Sequence, residues 1–132
     1  MEMKIVLEGG YKVNAIYKGF TIRTDQPEDV GGENTAPEPF DMFLASIGTC
    51  SGVYVADFCN ERNIPTENIG IIMSIDRDGE TNMVTRVTIN VSLPPEFPQK
   101  YLRAIEKAIN MCTVKKHLQD PPEFLVEAKM AE

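Results

Sequence analysis

The amino-acid sequence predicts an α+β fold in a single domain spanning residues 1–132. Three observations carry that prediction: short alternating segments at the start, one long uncharged helical stretch before the middle, and a strand hairpin followed by an amphipathic helix. Hydrophobic residues make up 42% and charged residues 25%, a balance that supports a packed core.

Residues 3–24 alternate in patches (KIVLE, YKVNAIY, FTIRT) broken at Gly9-Gly10 and Lys18-Gly19, the pattern of three short antiparallel strands. Residues 25–39 (DQPEDVGGENTAPEP) hold so many turn formers that no regular element is expected, and loops of this length tend to be functional. From 39 to 62 the period becomes helical, opened by Pro39 and stopped by Asn63 and Ile64-Pro65. Residues 42–56 (MFLASIGTCSGVYVA) carry no Asp, Glu, Lys, Arg or His, and the apolar positions go all the way round. A long, buried central helix is therefore expected, enclosed by a core or by a dimer. A bilayer span needs about 18–20 apolar residues, more than the run between Asp41 and Asp57 provides.

Residues 69–76 and 83–93 read as two strands of a β-hairpin joined around Asp78-Gly79. In the second, Val87, Ile89, Val91 and Leu93 face one way and Arg86, Thr88, Asn90 and Ser92 the other. Pro94, Pro95 and Pro98 introduce a helix whose apolar side is Leu102, Ile105, Ala108, Ile109 and Cys112. A short helical piece over 113–118 ends before Asp120-Pro121-Pro122, and the alternating FLVEAKM predicts a C-terminal strand.

The formal net charge of −7 argues against nucleic acid and anionic membranes as partners, since phosphate binding needs clustered Lys and Arg. The start, MEMKIVLEGG, has neither an apolar h-region nor a cleavage site, so the protein is expected to be cytoplasmic. Three cysteines in a reducing compartment point to free or catalytic thiols. No metal is expected: there is no CxxC pair, and His117 is the single histidine.

Chemistry concentrates on Cys50, bracketed by Gly48 and Gly52, and Cys112, close before Lys115 and Lys116. A thiolate that attacks a peroxide O–O bond becomes a sulfenic acid, and a second thiol condenses with it to a disulfide. The attacking thiol must be ionised, which an apolar setting opposes unless the fold brings a cationic group or a helix N-terminus to it. Two sources are open. A helix continuing past Cys112 would stand Lys115 and Lys116 over that thiol, whereas a break between Asn110 and Thr113 would put Cys112 at a helix N-terminus. The paired glycines serve either close helix packing or substrate access. Cys59 falls on the face opposite Cys50 and reads as core filler.

Gly31-Gly32, the helix opening PFDMFLASIGTC and the segment MCTVKKHL, in this order and spacing, resemble the OsmC/Ohr family of osmotically inducible protein C and organic hydroperoxide resistance proteins, over nearly the whole chain. The resemblance implies an OsmC-like fold and cofactor-free, thiol-dependent reduction of hydroperoxides, with Cys50 peroxidatic and Cys112 resolving. It also implies an intertwined homodimer with its sites at the subunit interface. Family peroxidases place a Glu just after the helix-opening Pro and an Arg in the N-terminal strands; here Phe40 takes the Glu position, and Asp41, Lys12 and Arg23 are the candidates for those roles. Thr113 stands where many relatives have Pro.

His117 reads as a surface or capping residue, and Tyr54, Met42 and Phe43 as core or as the lining of a pocket beside Cys50. The leading expectation is a two-cysteine hydroperoxide reductase restored by an external dithiol. The alternatives are a non-catalytic small-ligand-binding module and a thiol-based sulfur or acyl carrier on the same fold.

Overall fold

The computed structural model of the protein describes residues 1–131. It is α+β, and the chain divides into two compact units, Met1–Ser46 and the remainder from Ile47. The first unit holds β1 (Lys4–Gly9), β2 (Lys12–Tyr17) and β3 (Phe20–Thr24) in one antiparallel sheet, ordered β1-β2-β3. The β2–β3 hairpin closes on Lys18 and Gly19, both left-handed (φ 52° and 81°), so Tyr17 pairs with Phe20. Two positive φ values in a two-residue loop match the right-handed twist of the flanking strands.

After β3 the loop is organised rather than irregular. The buried Asp25 carboxylate accepts the N–H groups of Gln26 (2.8 Å), Glu33 (3.3 Å) and Thr35 (3.0 Å) and the Thr35 hydroxyl (2.7 Å). These bonds, those from Thr35 foremost, pull its pKa down to about 2. Gly32 is dictated by space: a Cβ there would lie 2.0 Å from the Gln26 carbonyl oxygen. A single 3-10 turn, Glu28–Val30, forms where no regular element was expected, because Pro27 supplies its opening φ of −64°.

The long helix, α1 (Pro39–Glu61), runs from the first unit into the second. Its end is a Schellman motif: Asn63 is left-handed (φ 55°), with Asn63 N–H to Asn60 O at 3.3 Å and Ile64 N–H to Cys59 O at 2.9 Å. Burial departs from expectation. Leu44, Ile47, Ser51, Val55, Phe58 and Cys59 form one buried stripe, but Phe43 and Val53 remain 38% and 64% exposed. A chain of this size covers one side of so apolar a helix and leaves the other open. By length and composition α1 passes for a membrane span, yet its buried stripe is part of a protein core.

In the second unit β4 (Gly70–Arg77) and β5 (Val84–Ser92) pair antiparallel, with Ile71 opposite Val91, Met73 opposite Ile89 and Ile75 opposite Val87. The hairpin loop is longer than Asp78-Gly79 alone. Asp78 accepts the N–H groups of Glu80 (2.9 Å) and Thr81 (2.8 Å), and the left-handed residue is Asn82 (φ 59°). A 3-10 turn at Gln99–Tyr101 leads into α2 (Leu102–Asn110), and α3 (Thr113–Gln119) follows. The core joins Val55, Phe58 and Cys59 of α1 to Phe97 and to Ile105 and Ile109 of α2, with Ile71, Ile89 and Val91 of the hairpin packed against it. Arg62 closes one side, its guanidinium 3.7 Å from the Phe58 ring centre while it donates to the Phe58 carbonyl at 3.0 Å.

The expected C-terminal strand is not formed. Residues 121–131 carry no regular structure, and Phe124, Leu125, Val126 and Met130 are 80–95% exposed. Alternation gives a segment the side chains of a strand, but a strand exists only where an edge offers hydrogen bonds to it.

Candidate functional site

The helix that carries Cys50 and the junction that carries Cys112 belong to the same unit, and the fold brings the two thiols together. α2 stops at Asn110 because Met111 turns to φ −89°, ψ 8°, and Cys112 then leaves helical geometry altogether (φ −49°, ψ 132°) to cap α3. Of the two arrangements open from the sequence, the helix break is the one realised. Cys112 is fully buried, its N–H bonded to Ile109 O at 3.2 Å and its carbonyl accepting Lys116 N–H at 3.1 Å.

Cys50 is half-buried. Its pKa is lowered from the ordinary thiol value, first by a hydrogen bond from the Cys112 thiol, then by the backbone N–H of Val114, with Thr113 N–H adding a smaller effect; burial opposes them. Both cysteines are free thiols. These donors favour the thiolate without a neighbouring cation. Lys115 and Lys116 are not among the groups acting on Cys50, and Lys115 Nζ donates instead to Asn110 Oδ1 at 3.3 Å.

The other site candidates lie in the first unit. Lys12 Nζ is 2.6 Å from Glu33 Oε2, and that bond raises its pKa. Arg23 is 3.6 Å from Glu8 across the sheet. Lys12 and Arg23 line one cavity of about 200 Å³ with Asn14 and Thr35. Asp41 is the acidic residue of the first turn of α1, where the helix favours negative charge. A larger cavity of about 540 Å³ lies along β5 and α2, lined by Arg86, Ile89, Glu106 and Lys115, and neither Cys50 nor Cys112 borders it.

Two sets of contacts beside the thiols are not written in the sequence. Backbone N–H donors leave no mark in side-chain identity, so Thr113 and Val114 were visible only through the helix break. Tyr54 is half-buried, and its hydroxyl meets Thr113 Oγ1 at 3.0 Å. Gly48 and Gly52 face β4, where an added Cβ would meet Met73 Sδ at 3.6 Å and Ile71 Cδ1 at 3.9 Å, ordinary contact distances, so space against the sheet does not dictate either glycine. His117 Nδ1 lies 2.7 Å from the Thr113 carbonyl within its own helix, in keeping with a capping role. Cys59 is fully buried, and desolvation raises its pKa against a smaller opposing pull from Arg62.

A family model described as OsmC-like protein matches residues 32–127. Among solved structures, the chain is similar to a Psychrobacter arcticus protein named for osmotic stress induction and the detoxification response (TM-score 0.73, 21% identity, 86% of this chain and 85% of that one). It is similar also to an OsmC-like protein of Mycoplasma pneumoniae (TM-score 0.69, 14% identity, 91% and 87%). A third is an organic hydroperoxide resistance protein OsmC of Legionella pneumophila (TM-score 0.51, 18% identity, 90% and 90%). At these identities the likeness is one of fold. No curated protein sequence matches the chain.

Proposed function

Because the chain belongs to the OsmC-like protein family, we propose that it reduces organic hydroperoxides through Cys50 and Cys112 and serves peroxide resistance. A similar structure bears the name of organic hydroperoxide resistance, which supports that general role. The observation that carries the mechanism is the contact between two thiols from distant parts of the sequence, one of them lowered in pKa by the other.

The Cys50 thiolate attacks the terminal peroxide oxygen; the O–O bond breaks, the alkoxide leaves with a proton as the alcohol, and Cys50 becomes a sulfenic acid. The Cys112 thiol then attacks that sulfur, expelling water and forming the disulfide. An external dithiol restores both thiols and leaves as its own disulfide. Residue by residue, Cys50 is the nucleophile, Cys112 both hydrogen-bond donor and resolver, and the Thr113 and Val114 N–H groups hold the negative sulfur. Asp41, and Lys12 or Arg23, are proposed on the family resemblance alone for the acid and the cation that hold the thiolate.

The open side of α1 and the exposed residues 121–131 are proposed to be covered by a second copy in a homodimer. Sedimentation equilibrium at micromolar concentration should return twice the mass of one chain. A cytoplasmic setting, where thiols stay reduced, belongs to the same proposal.

Stopped-flow oxidation of Cys50 by cumene hydroperoxide tests the chemistry. The expected rate exceeds that of free cysteine by several orders of magnitude; a rate no faster than free cysteine would sink the peroxidase reading and leave the ligand-binding and thiol-carrier alternatives.

A further inference from the structure

Cys112 and Thr113 form the start of a short helix, and this start faces α1 at two levels. Cys112 meets Cys50, and Thr113 Oγ1 meets the Tyr54 hydroxyl at 3.0 Å. Tyr54 lies one helical turn beyond Cys50, so both stand on the same side of α1. The two contacts are successive rungs between α1 and the beginning of α3. Thr113 is exposed and Tyr54 half-buried, so neither side chain is explained by core packing. The bend at Met111 separates α3 from α2, which leaves α3 dependent on contacts of this kind for its placement.

We propose that the Tyr54–Thr113 hydrogen bond is the positioning contact of the thiol pair, holding the start of α3 against α1 so that Cys112 stays within reach of the Cys50 sulfur. The inference rests on the reading of Cys50 and Cys112 as a disulfide-forming pair. Tyr54 and the Thr113 hydroxyl act through Cys112 and touch no substrate. Resolution requires the Cys112 sulfur to approach Cys50 in line with the bond that breaks. Without the lower rung, α3 samples positions from which it cannot do so, and the effective concentration of Cys112 at Cys50 falls.

Glutathione equilibration of the full-length chain tests this without any peroxide. Cys50 takes glutathione from its disulfide, Cys112 displaces that glutathione as a free thiol, and the Cys50–Cys112 disulfide is counted by mass spectrometry after acid quench and alkylation. Tyr54→Phe and Thr113→Val each remove the same hydrogen bond, from opposite sides, and each should shift the equilibrium toward the dithiol by about three- to tenfold. The double variant should shift no further than the singles, and Thr113→Ser, which keeps a hydroxyl, should stay at the wild-type value. Singles within twofold of wild type overturn the proposal, as does Thr113→Ser falling with Thr113→Val. A wild-type chain that forms no Cys50–Cys112 disulfide at any glutathione ratio overturns the thiol-pair reading itself, an outcome separate from failure of the positioning contact.

Discussion

Cys50 and Cys59 are the same residue on the same helix, and their surroundings drive them in opposite directions. Around Cys50, the Cys112 thiol and two backbone N–H groups donate to sulfur and lower its pKa. Around Cys59, Phe58, Ile105, Ile109 and Phe97 form a dry core, and desolvation raises it despite Arg62 nearby. At Cys50 the donors outweigh burial, whereas at the fully buried Cys59 burial outweighs the cation. What sets the two thiols of α1 apart is the Cys112 thiol and a break between α2 and α3 that turns backbone amides toward Cys50.

The contrast is broken most directly by deleting each sulfur. Cys50→Ser should abolish hydroperoxide consumption, while Cys59→Ala should leave it within twofold of wild type in a peroxide-coupled assay. Cys112→Ser should permit one rapid oxidation of Cys50 and then its over-oxidation to sulfinic acid, visible by mass spectrometry. Alkylation comes next in size. At pH 7, iodoacetamide should modify Cys50 at least about 100-fold faster than Cys59, which must both open to solvent and lose a proton from a raised pKa. The sign for Cys50 follows from its lowered pKa: the thiolate persists below the ordinary thiol value of about 8.5, and reactivity falls only as pH drops through the lower folded value. A Cys50 profile centred at or above that ordinary value would remove the distinction. Conversely, Cys59→Ala should lower stability in urea by about 1–2 kcal/mol through the cavity left among Phe58, Ile105 and Ile109.

Much of this architecture was legible because it is written in side-chain periodicity and in residues with restricted backbones. Pro39 and Asn63 bound α1 to within one residue of its expected end, and the alternation of Val87, Ile89 and Val91 gave β5 and its inner face. The hairpin loop misled because Gly79 draws the eye, while the left-handed residue is Asn82 and the loop is pinned by the Asp78 carboxylate. FLVEAKM has the pattern of a strand, but no pattern names the edge that a strand joins. At the site, both thiols were legible as unusual residues, and the break that joins them was one of two open readings. The backbone groups that act on Cys50 were not legible. Amides of Thr113 and Val114 belong to every residue alike, and the Tyr54–Thr113 bond joins positions 59 apart that no local pattern relates.

The smallest expected effect concerns the glycines that flank Cys50, and it separates packing from chemistry. A glycine inside a helix costs about 1 kcal/mol relative to alanine. Gly48 would place a new Cβ 3.6 Å from Met73 Sδ and 4.0 Å from Met73 Cε, ordinary contact with the end of a flexible side chain. Gly48→Ala should therefore raise stability by about 0.5–1 kcal/mol in urea unfolding, because the gain in helix propensity meets no clash. Since Gly48 faces β4, the same variant should leave the rate of Cys50 oxidation by hydroperoxide within twofold of wild type. If the glycine exists to admit substrate, the kinetic outcome changes: stability rises as before, but oxidation of Cys50 slows while alkylation by the smaller iodoacetamide does not. That pattern would move Gly48 from the packing of α1 on β4 to the approach of substrate, and would make the apolar helix as a whole part of what distinguishes Cys50 from Cys59.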